Sequence, residues 1–403
     1  MRLHRNLVYT TIDSLNFIFN EGEYADKIVA KALKKDLRWG AKDRKFVAET
    51  IYEIVRWKRL YAEIAEVKEP YNREDLWRMF AVWAVLRGYP IPDWTQLEGT
   101  PNRRIKGRFE ELSKIRKYRE SIPDWMDELG AKELGEALWT KEISAQNEQA
   151  KVILRVNTLK TTKEKLRAIL MDLDIDTEIV KEYPQALVLK ERANVFMTDA
   201  FKEGFFEVQD ASSQMVAEML DVEPGMRVID ACAGAGGKSL HLAALMENKG
   251  RILSMDIEGW KLQNAKLRAR RAGISIIEPR VIEGNKTIKR LKETADRLLL
   301  DVPCTGLGVL RRNPDTKWKI SPESVEKVQE IQQEIIQSYS TMVKPGGIMV
   351  YATCSILPSE NQDQVAKFLA SEKGKPFELI EDQKVLAQES GFDGFYMAKL
   401  SRR

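Results

Sequence analysis

Ten residues, Asp230 to Ser239 (DACAGAGGKS), restrict this chain more than any other stretch. The apolar run Met226-Arg227-Val228-Ile229 before them reads as a short buried strand, and Leu240 to Met246 after them reads as a helix. A strand that breaks into small residues at a helix start predicts a cofactor site. With no side chains in the turn, backbone amides and the positive end of the helix dipole can approach a polar ligand.

Spacing narrows the ligand. A nucleotide-triphosphate loop needs a glycine five positions before the Gly237-Lys238 pair, and Cys232 stands there. The next strand, Arg251 to Asp256, ends in a carboxylate about 20 residues beyond the glycines, where an acidic group can hold ribose hydroxyls. Dinucleotide-binding and S-adenosylmethionine-binding folds share this pattern, and both stay open at this point.

A chain of 403 residues implies two or three packed units. Its 65 basic and 61 acidic residues leave a formal charge of +4, which permits a nucleic-acid partner without requiring one. Three scattered cysteines, Cys232, Cys304 and Cys354, argue against a disulfide framework. No apolar run has membrane-spanning length, no apolar segment follows the basic start, and no paired Cys-x-x-Cys points to a metal. A monomeric cytoplasmic protein, with no membrane and no metal, is the expectation.

Residues 1–140 read as an all-helical domain. Leu7, Ile12, Leu15, Ile18 and Phe19 recur at helical spacing, as do Phe46, Ile51, Ile54, Val55 and Leu60. A cationic stretch from Arg103 to Arg119 fits a solvated helix face or a phosphate-contacting one equally well. Residues 141–205 read as a small α+β unit. From 206 to 403 strands near 227–231, 251–256, 277–282, 297–302 and 347–352 alternate with helices, the pattern of a doubly wound α/β domain whose ligands sit at the carboxyl ends of its strands.

Two of those ends carry thiols. The fourth strand runs through Asp301 into Pro303-Cys304-Thr305-Gly306, and the fifth into Thr353-Cys354-Ser355. Carbon 5 of cytosine is too poor a nucleophile to accept a methyl group until a thiolate adds at carbon 6. One cysteine could attack and the other serve release, while Asp301 holds the polar edge of the base. The residues alone leave the two thiols interchangeable.

LLLDVPCTGLGVLRRNPDTKW at 298–318, YATCSILPSEN at 351–361 and DGFYMAKL at 393–400 resemble the RsmB and Sun family of RNA cytosine-5 methyltransferases. ILRVNTLK at 153–160 and FEVQDASSQ at 206–214 look like that family's pre-catalytic unit, and AKDRKFVAETIYEIVRW at 41–57 looks like the NusB-type RNA-binding domain attached to the 16S ribosomal RNA methyltransferase B subgroup. The resemblance implies a Rossmann-like domain that takes S-adenosylmethionine and acts on RNA, most of all small-subunit ribosomal RNA. It makes Cys354 the nucleophile and Cys304 the residue assisting release, with Asp301 and Lys238 at the target cytosine. Cys232, Ala233, Gly234, Ala235, Gly236, Gly237, Lys238, Asp256, Asn285 and Asp301 fall to the cofactor. Two departures stand out: Gly234-Ala235 replaces the family's usual Ala-Pro, and Asn285 replaces its usual acidic residue. Asn285 can still accept a hydrogen bond through its carbonyl oxygen. Arg311, Arg312, Lys317 and Trp318 are expected to line the RNA path, whereas Lys266, Arg268, Arg270 and Arg271 are expected to decorate an exposed helix face. The rival readings are methylation of transfer RNA, a non-catalytic assembly factor of the same fold, and a nicotinamide-dependent oxidoreductase; the last accounts for the glycines and Asp256 but for neither cysteine.

Overall fold

In the computed structural model the described residues are 3–403, and they form two compact units. The first runs to Glu148 and also takes in Leu310–Pro322; the second comprises Gln149–Val309 and Glu323–Arg403. The sequence reading of three consecutive segments differs in two respects. The small α+β part packs with the methyltransferase-like part as one unit, and thirteen residues following the Cys304 loop fold with the helices instead.

The first unit is helical throughout its described residues up to Glu148. Helix Ala41–Arg56 buries Phe46, Val47, Ile51, Ile54 and Val55, the face that its apolar spacing predicts. Helix Arg73–Leu86 is opened by a capping box, in which the Asn72 side chain accepts from the Asp75 amide (3.0 Å) and the Asp75 carboxylate accepts from the Asn72 amide (2.9 Å).

In the second unit β1 (Ile153–Val156), β2 (Thr177–Ile179), β3 (Ala186–Leu189) and β4 (Phe206–Val208) form an antiparallel sheet in the order β2-β3-β1-β4. The larger sheet contains β5 (Arg227–Asp230), β6 (Arg251–Asp256), β7 (Ile277–Val281), β8 (Ala295–Asp301), β9 (Val343–Thr353), β10 (Phe377–Val385) and β11 (Phe395–Arg402), in the order β10-β11-β9-β8-β5-β6-β7. Five strands are parallel, and β11 and β10 close one edge antiparallel. This is the mixed, mostly parallel sheet of a Rossmann-like fold.

The strands are apolar on both sides because both faces are covered. Leu298, Leu300 and Tyr351 point into the core shared with Ile336 and Phe368 of helices Pro322–Tyr339 and Gln362–Leu369, while Leu299 and Val350 point to Val216, Leu242 and Ala269 of helices Ala211–Met219, Gly237–Leu245 and Gly259–Ala272. Each such side chain contributes about 1.5–3 kcal/mol by leaving water. Chain direction reverses from β5: β6 and β7 build one side and β8 and β9 the other. That reversal opens a crevice at the carboxyl ends of β5 and β8. Among the described residues no helix is long and apolar enough to cross a membrane, and no group of His, Cys, Asp or Glu is placed to hold a metal.

Candidate active site

The glycine turn follows β5 at that crevice. Gly236 has φ +79°, and a Cβ there would lie 2.7 Å from the Ala265 Cβ, so only glycine lets helix Gly237–Leu245 start against helix Gly259–Ala272. The turn is braced at its carbonyls. Arg268 donates to Ala235 O (2.9 Å) and Arg155 to Gly237 O (2.6 Å), while Glu207 holds Arg268 (3.0 Å) and Arg271. Burial lowers the Arg155 guanidinium to about 9, so it stays charged at neutral pH. Arg268 and Arg271 therefore do not decorate a solvated face as expected; a buried carboxylate contributed by β4 draws them inward. Of that quartet, Lys266 and Arg270 are exposed. The bracing compensates for the missing proline at Ala235, since a carbonyl held by an arginine cannot swing freely.

A polar cofactor fits this cradle. A Cβ on Gly234 would meet nothing within 4 Å, so the space over the turn is open. Asp256, at the end of β6, accepts from the Gly234 amide (2.9 Å) and the Glu258 amide (2.8 Å), one on each oxygen, leaving lone pairs for two hydroxyls. The β7 turn is tied to it through Ile282 N donating to Asp256 O (2.9 Å), and exposed Asn285 begins a short helix just beyond. Cys232 is half-buried, and desolvation first, then the charges of Asp230, Asp301 and Asp256, pushes its thiol up, which keeps it a neutral group. Ala233 ties the turn to the sheet through its amide to Met255 O (2.8 Å).

At the carboxyl ends of β8 and β9 the cysteine pair is assembled. Cys304 Sγ and Cys354 Sγ lie 3.1 Å apart, both half-buried and both free thiols. Lys238 Nζ is 2.6 Å from Asp301 Oδ2 and also sits 5.2 Å over the Phe395 ring, which places an ammonium and a carboxylate on the same side of the sheet. The Cys304 loop touches the Cys354 loop through its backbone. Gly308 N donates to Cys354 O (2.9 Å) and Gly394 N donates to Gly308 O (2.7 Å). The hydrogen-bonding contact with the Cys354 sulfur, then burial and the charges of Cys354 and Glu360, pushes the Cys304 thiol well up.

Of the four residues expected along an RNA path, three go elsewhere: Lys317, Trp318 and Arg311. Lys317 is fully buried in the first unit, its ammonium 2.8 Å from Asn147 Oδ1 and 3.1 Å from the carbonyls of Arg56, Glu120 and Ser121. Burial lowers its pKa. The Trp318 indole donates to Val55 O (2.7 Å), buried Arg311 donates to Ala145 O (2.8 Å), and Arg312 is half-buried. These cations anchor Leu310–Pro322 among the helices, which is the physical reason the surface reading fails for Lys317, Arg311 and Trp318. In the basic stretch, Arg104 and Arg108 pair with Glu66, Arg116 with Asp127 and Lys117 with Asp124, while Arg103, Lys106 and Lys114 remain exposed. His241, one turn into the cofactor helix, is buried and burial holds it neutral.

Sequence reasoning missed Glu360, Arg155, Glu207 and Phe395. The only signal for Glu360 was its place in Pro-Ser-Glu-Asn, a few residues after Cys354.

Comparison with known proteins agrees with this geometry. Residues 217–401 match the family model described as 16S rRNA methyltransferase RsmB/F, and residues 122–196 match its ferredoxin-like domain. A probable ribosomal RNA small subunit methyltransferase B from Synechocystis is 31% identical over 99% of this chain and 99% of that protein. The crystal structure of PH0851 is 25% identical with a TM-score of 0.84 over the whole of both chains. That of NSun6 from Pyrococcus horikoshii, solved with the S-adenosylmethionine analogue SFG, is 20% identical with a TM-score of 0.65, covering 71% of this chain and 99% of that one. The chain belongs to the RsmB/F family of methyltransferases, and its cofactor is S-adenosylmethionine.

Proposed function

We propose that this protein methylates carbon 5 of a cytosine in 16S ribosomal RNA through a covalent adduct between Cys354 and carbon 6. The observation that carries the reading is the thiol pair, 3.1 Å apart at the ends of two adjacent parallel strands, with the Lys238–Asp301 pair on the same edge and the glycine turn next to it. A dehydrogenase has no use for two such sulfurs, and a factor that only binds RNA has no use for their proximity. The small-subunit ribosomal substrate follows from the Synechocystis relative's name and the family description. We assign the helical first unit the task of holding RNA, with exposed Arg103, Lys106 and Lys114 supplying salt-sensitive phosphate contacts.

When bound, S-adenosylmethionine supplies an electrophilic methyl group. Asp256 and Asn285 would hold its nucleoside and the amides of residues 233–237 its polar end. On the protein side, Asp301 accepts from the polar edge of the base and Lys238, 2.6 Å away, orients that carboxylate. Cys354 adds to carbon 6, and the electron pair displaced toward carbon 5 makes that carbon nucleophilic. After methylation the carbon 5 proton passes to the Cys304 sulfur, the electron pair of that carbon–hydrogen bond re-forms the ring double bond, and the carbon–sulfur bond breaks with its pair on Cys354. Cys304, 3.1 Å away, relays the proton: its own S–H passes to the departing Cys354 sulfur as it takes the proton from carbon 5, and so it assists release.

The test is a denaturing gel after incubation with 16S ribosomal RNA and S-adenosylmethionine. Cys304→Ala should leave a retarded, nuclease-sensitive protein band, whereas Cys354→Ala should bind RNA and give none. The reverse pattern moves the nucleophile to Cys304. Bisulfite sequencing of 16S RNA from a deletion strain tests the substrate, and an unchanged 5-methylcytosine pattern rejects it.

A further inference from the structure

The carboxylate of Glu360 is fully buried, yet among the described residues it pairs with no cation. Its donors all belong to the two cysteine loops or to the helix behind them. Oε2 accepts from the Thr305 amide (2.9 Å) and from Gln332 Nε2 (2.9 Å); Oε1 accepts from the Thr305 hydroxyl (2.5 Å) and the Ser355 hydroxyl (2.5 Å). Thr305 follows Cys304 and Ser355 follows Cys354, so one side chain grips the neighbour of each sulfur. Glu360 is itself held, because the buried Tyr351 hydroxyl donates to its carbonyl (2.7 Å). Asn361 next to it accepts from the Thr353 hydroxyl (2.5 Å) and donates to Ser355 O (3.0 Å), fixing the other side of Cys354. Gln332 also donates to Pro303 O (2.9 Å), on the far side of Cys304. Burying a carboxylate without a cation is costly unless its lone pairs are filled, and here they are filled by the groups that flank the reacting thiols.

We propose that Glu360 is a positioning residue that fixes the Cys304 and Cys354 loops to one another and thereby sets the spacing of the two sulfurs. The proposal rests on the reading of both cysteines as reacting groups, but the spacing itself is measurable without any reaction on RNA. Because hydroxyls can accept as well as donate, a glutamine can aim its oxygen at the two fixed N–H donors and its amide at Thr305 and Ser355, preserving the grip. A leucine of similar size cannot.

Phenylarsine oxide serves as the ruler. It condenses with two close thiols, forming two As–S bonds and releasing one water, and a lone thiol does not hold it. Bound arsenical is counted by native mass spectrometry, with Cys304→Ala as the control that removes the pair and leaves Cys232. Wild type and Glu360→Gln should each take up one arsenical and share a similar kcat. Glu360→Leu should bind S-adenosylmethionine in calorimetry as wild type does, keep its KM for RNA, take up the arsenical at least about tenfold more weakly, and lose about 100-fold in kcat, the scale of misplacing a reacting group by about 1 Å. Wild-type uptake and kcat in Glu360→Leu would overturn the proposal. Parallel loss of cofactor binding, stability and kcat would overturn it too, since that marks an ordinary core residue; if Glu360→Leu does not fold, loss of arsenical uptake in Glu360→Gln does the same. Normal arsenical uptake in wild type without any covalent RNA adduct would reject the cysteine chemistry while leaving the positioning role standing.

Discussion

Gly308→Ala is the substitution whose effect follows most directly from distances. A Cβ at Gly308 would lie 2.2 Å from Gly394 O and 2.7 Å from Cys354 O. An unstrained carbon–oxygen contact is about 3.3 Å, so the backbone must open by about 1 Å on the Gly394 side and roughly half that on the Cys354 side. That opening strains two hydrogen bonds, Gly308 N to Cys354 O and Gly394 N to Gly308 O. Overpacking of this kind costs about 1–3 kcal/mol of stability. It also reaches turnover, because the carbonyl pushed aside by roughly half an ångström belongs to Cys354 itself; with about 1 Å at a reacting group costing on the order of 100-fold, half of that costs about tenfold. Single-turnover transfer of labelled methyl from S-adenosylmethionine to RNA, with calorimetric cofactor binding alongside, separates the two. Methyl transfer should fall about tenfold while cofactor affinity changes by less than about threefold, because the affected contacts lie away from the glycine turn. A Gly308→Ala enzyme with wild-type single-turnover rate would refute the claim that this backbone contact sets the position of Cys354.

Asp256→Ala should weaken S-adenosylmethionine binding by roughly 1.5–3 kcal/mol in calorimetry, the value of hydrogen bonds to a charged acceptor, and unchanged affinity would remove Asp256 from the cofactor site. Lys317→Met removes the ammonium from three carbonyls and the Asn147 amide oxygen, of which Glu120 O keeps a second donor in Asn147 Nδ2 (2.9 Å), at about 1–3 kcal/mol for each group left unsatisfied, and should lower the melting temperature while the surviving folded protein keeps its RNA affinity. Full stability with weakened RNA binding would instead restore Lys317 to the RNA path. Asp230 is raised by burial from 3.8 to about 7, so the folded protein binds a proton that the unfolded chain has released between those values. This group's contribution is therefore complete below about pH 4 and declines as pH rises toward 7, by several kcal/mol at most. Cofactor-free urea titrations at pH 5 and pH 8 should show a steeper decline for wild type than for Asp230→Asn, and equal slopes would contradict the raised value.

The legible parts of the chain were those where one physical rule acts locally. Apolar runs broken by glycine or proline gave β5, β6, β7, β8 and β9, and the turn residues after β8 and β9 put both cysteines at strand ends. What escaped depends on partners far along the chain. The edge strand β10 has six exposed residues in succession, three of them charged, which serves to protect a sheet edge from pairing and hides it from any search for apolar alternation. Lys317 and Arg311 read as surface cations because nothing local reveals that Glu120 and Ser121, nearly two hundred positions away, supply carbonyls to a buried ammonium. Arg155 and Arg268 could not be connected to the glycine turn for the same reason: one sits in the small sheet and the other two turns into a helix whose outward face is otherwise charged.

The thiol spacing is itself a statement about strand register. Asp301 of β8 pairs with Ala352 of β9, so three further residues on one strand and two on the other bring the sulfurs together across neighbouring strands. A slip of one residue would move one loop by about 3.3 Å and turn every β9 side chain to the opposite face, forcing Met349 and Tyr351 into the core that is packed around the smaller Val350 and Ala352. The core therefore forbids the slip. Beyond the last ladder bond, however, the core has no hold on the loops, and 3.1 Å between sulfurs is a finer tolerance than register alone provides. The antiparallel strand β11 supplies part of the remainder: Tyr396 pairs with Thr353, and the Gly394 amide ahead of it reaches the Cys304 loop. Removing that reach while leaving the sheet intact should thus misplace the thiols without unfolding the domain, which is the outcome that Gly308→Ala is designed to detect.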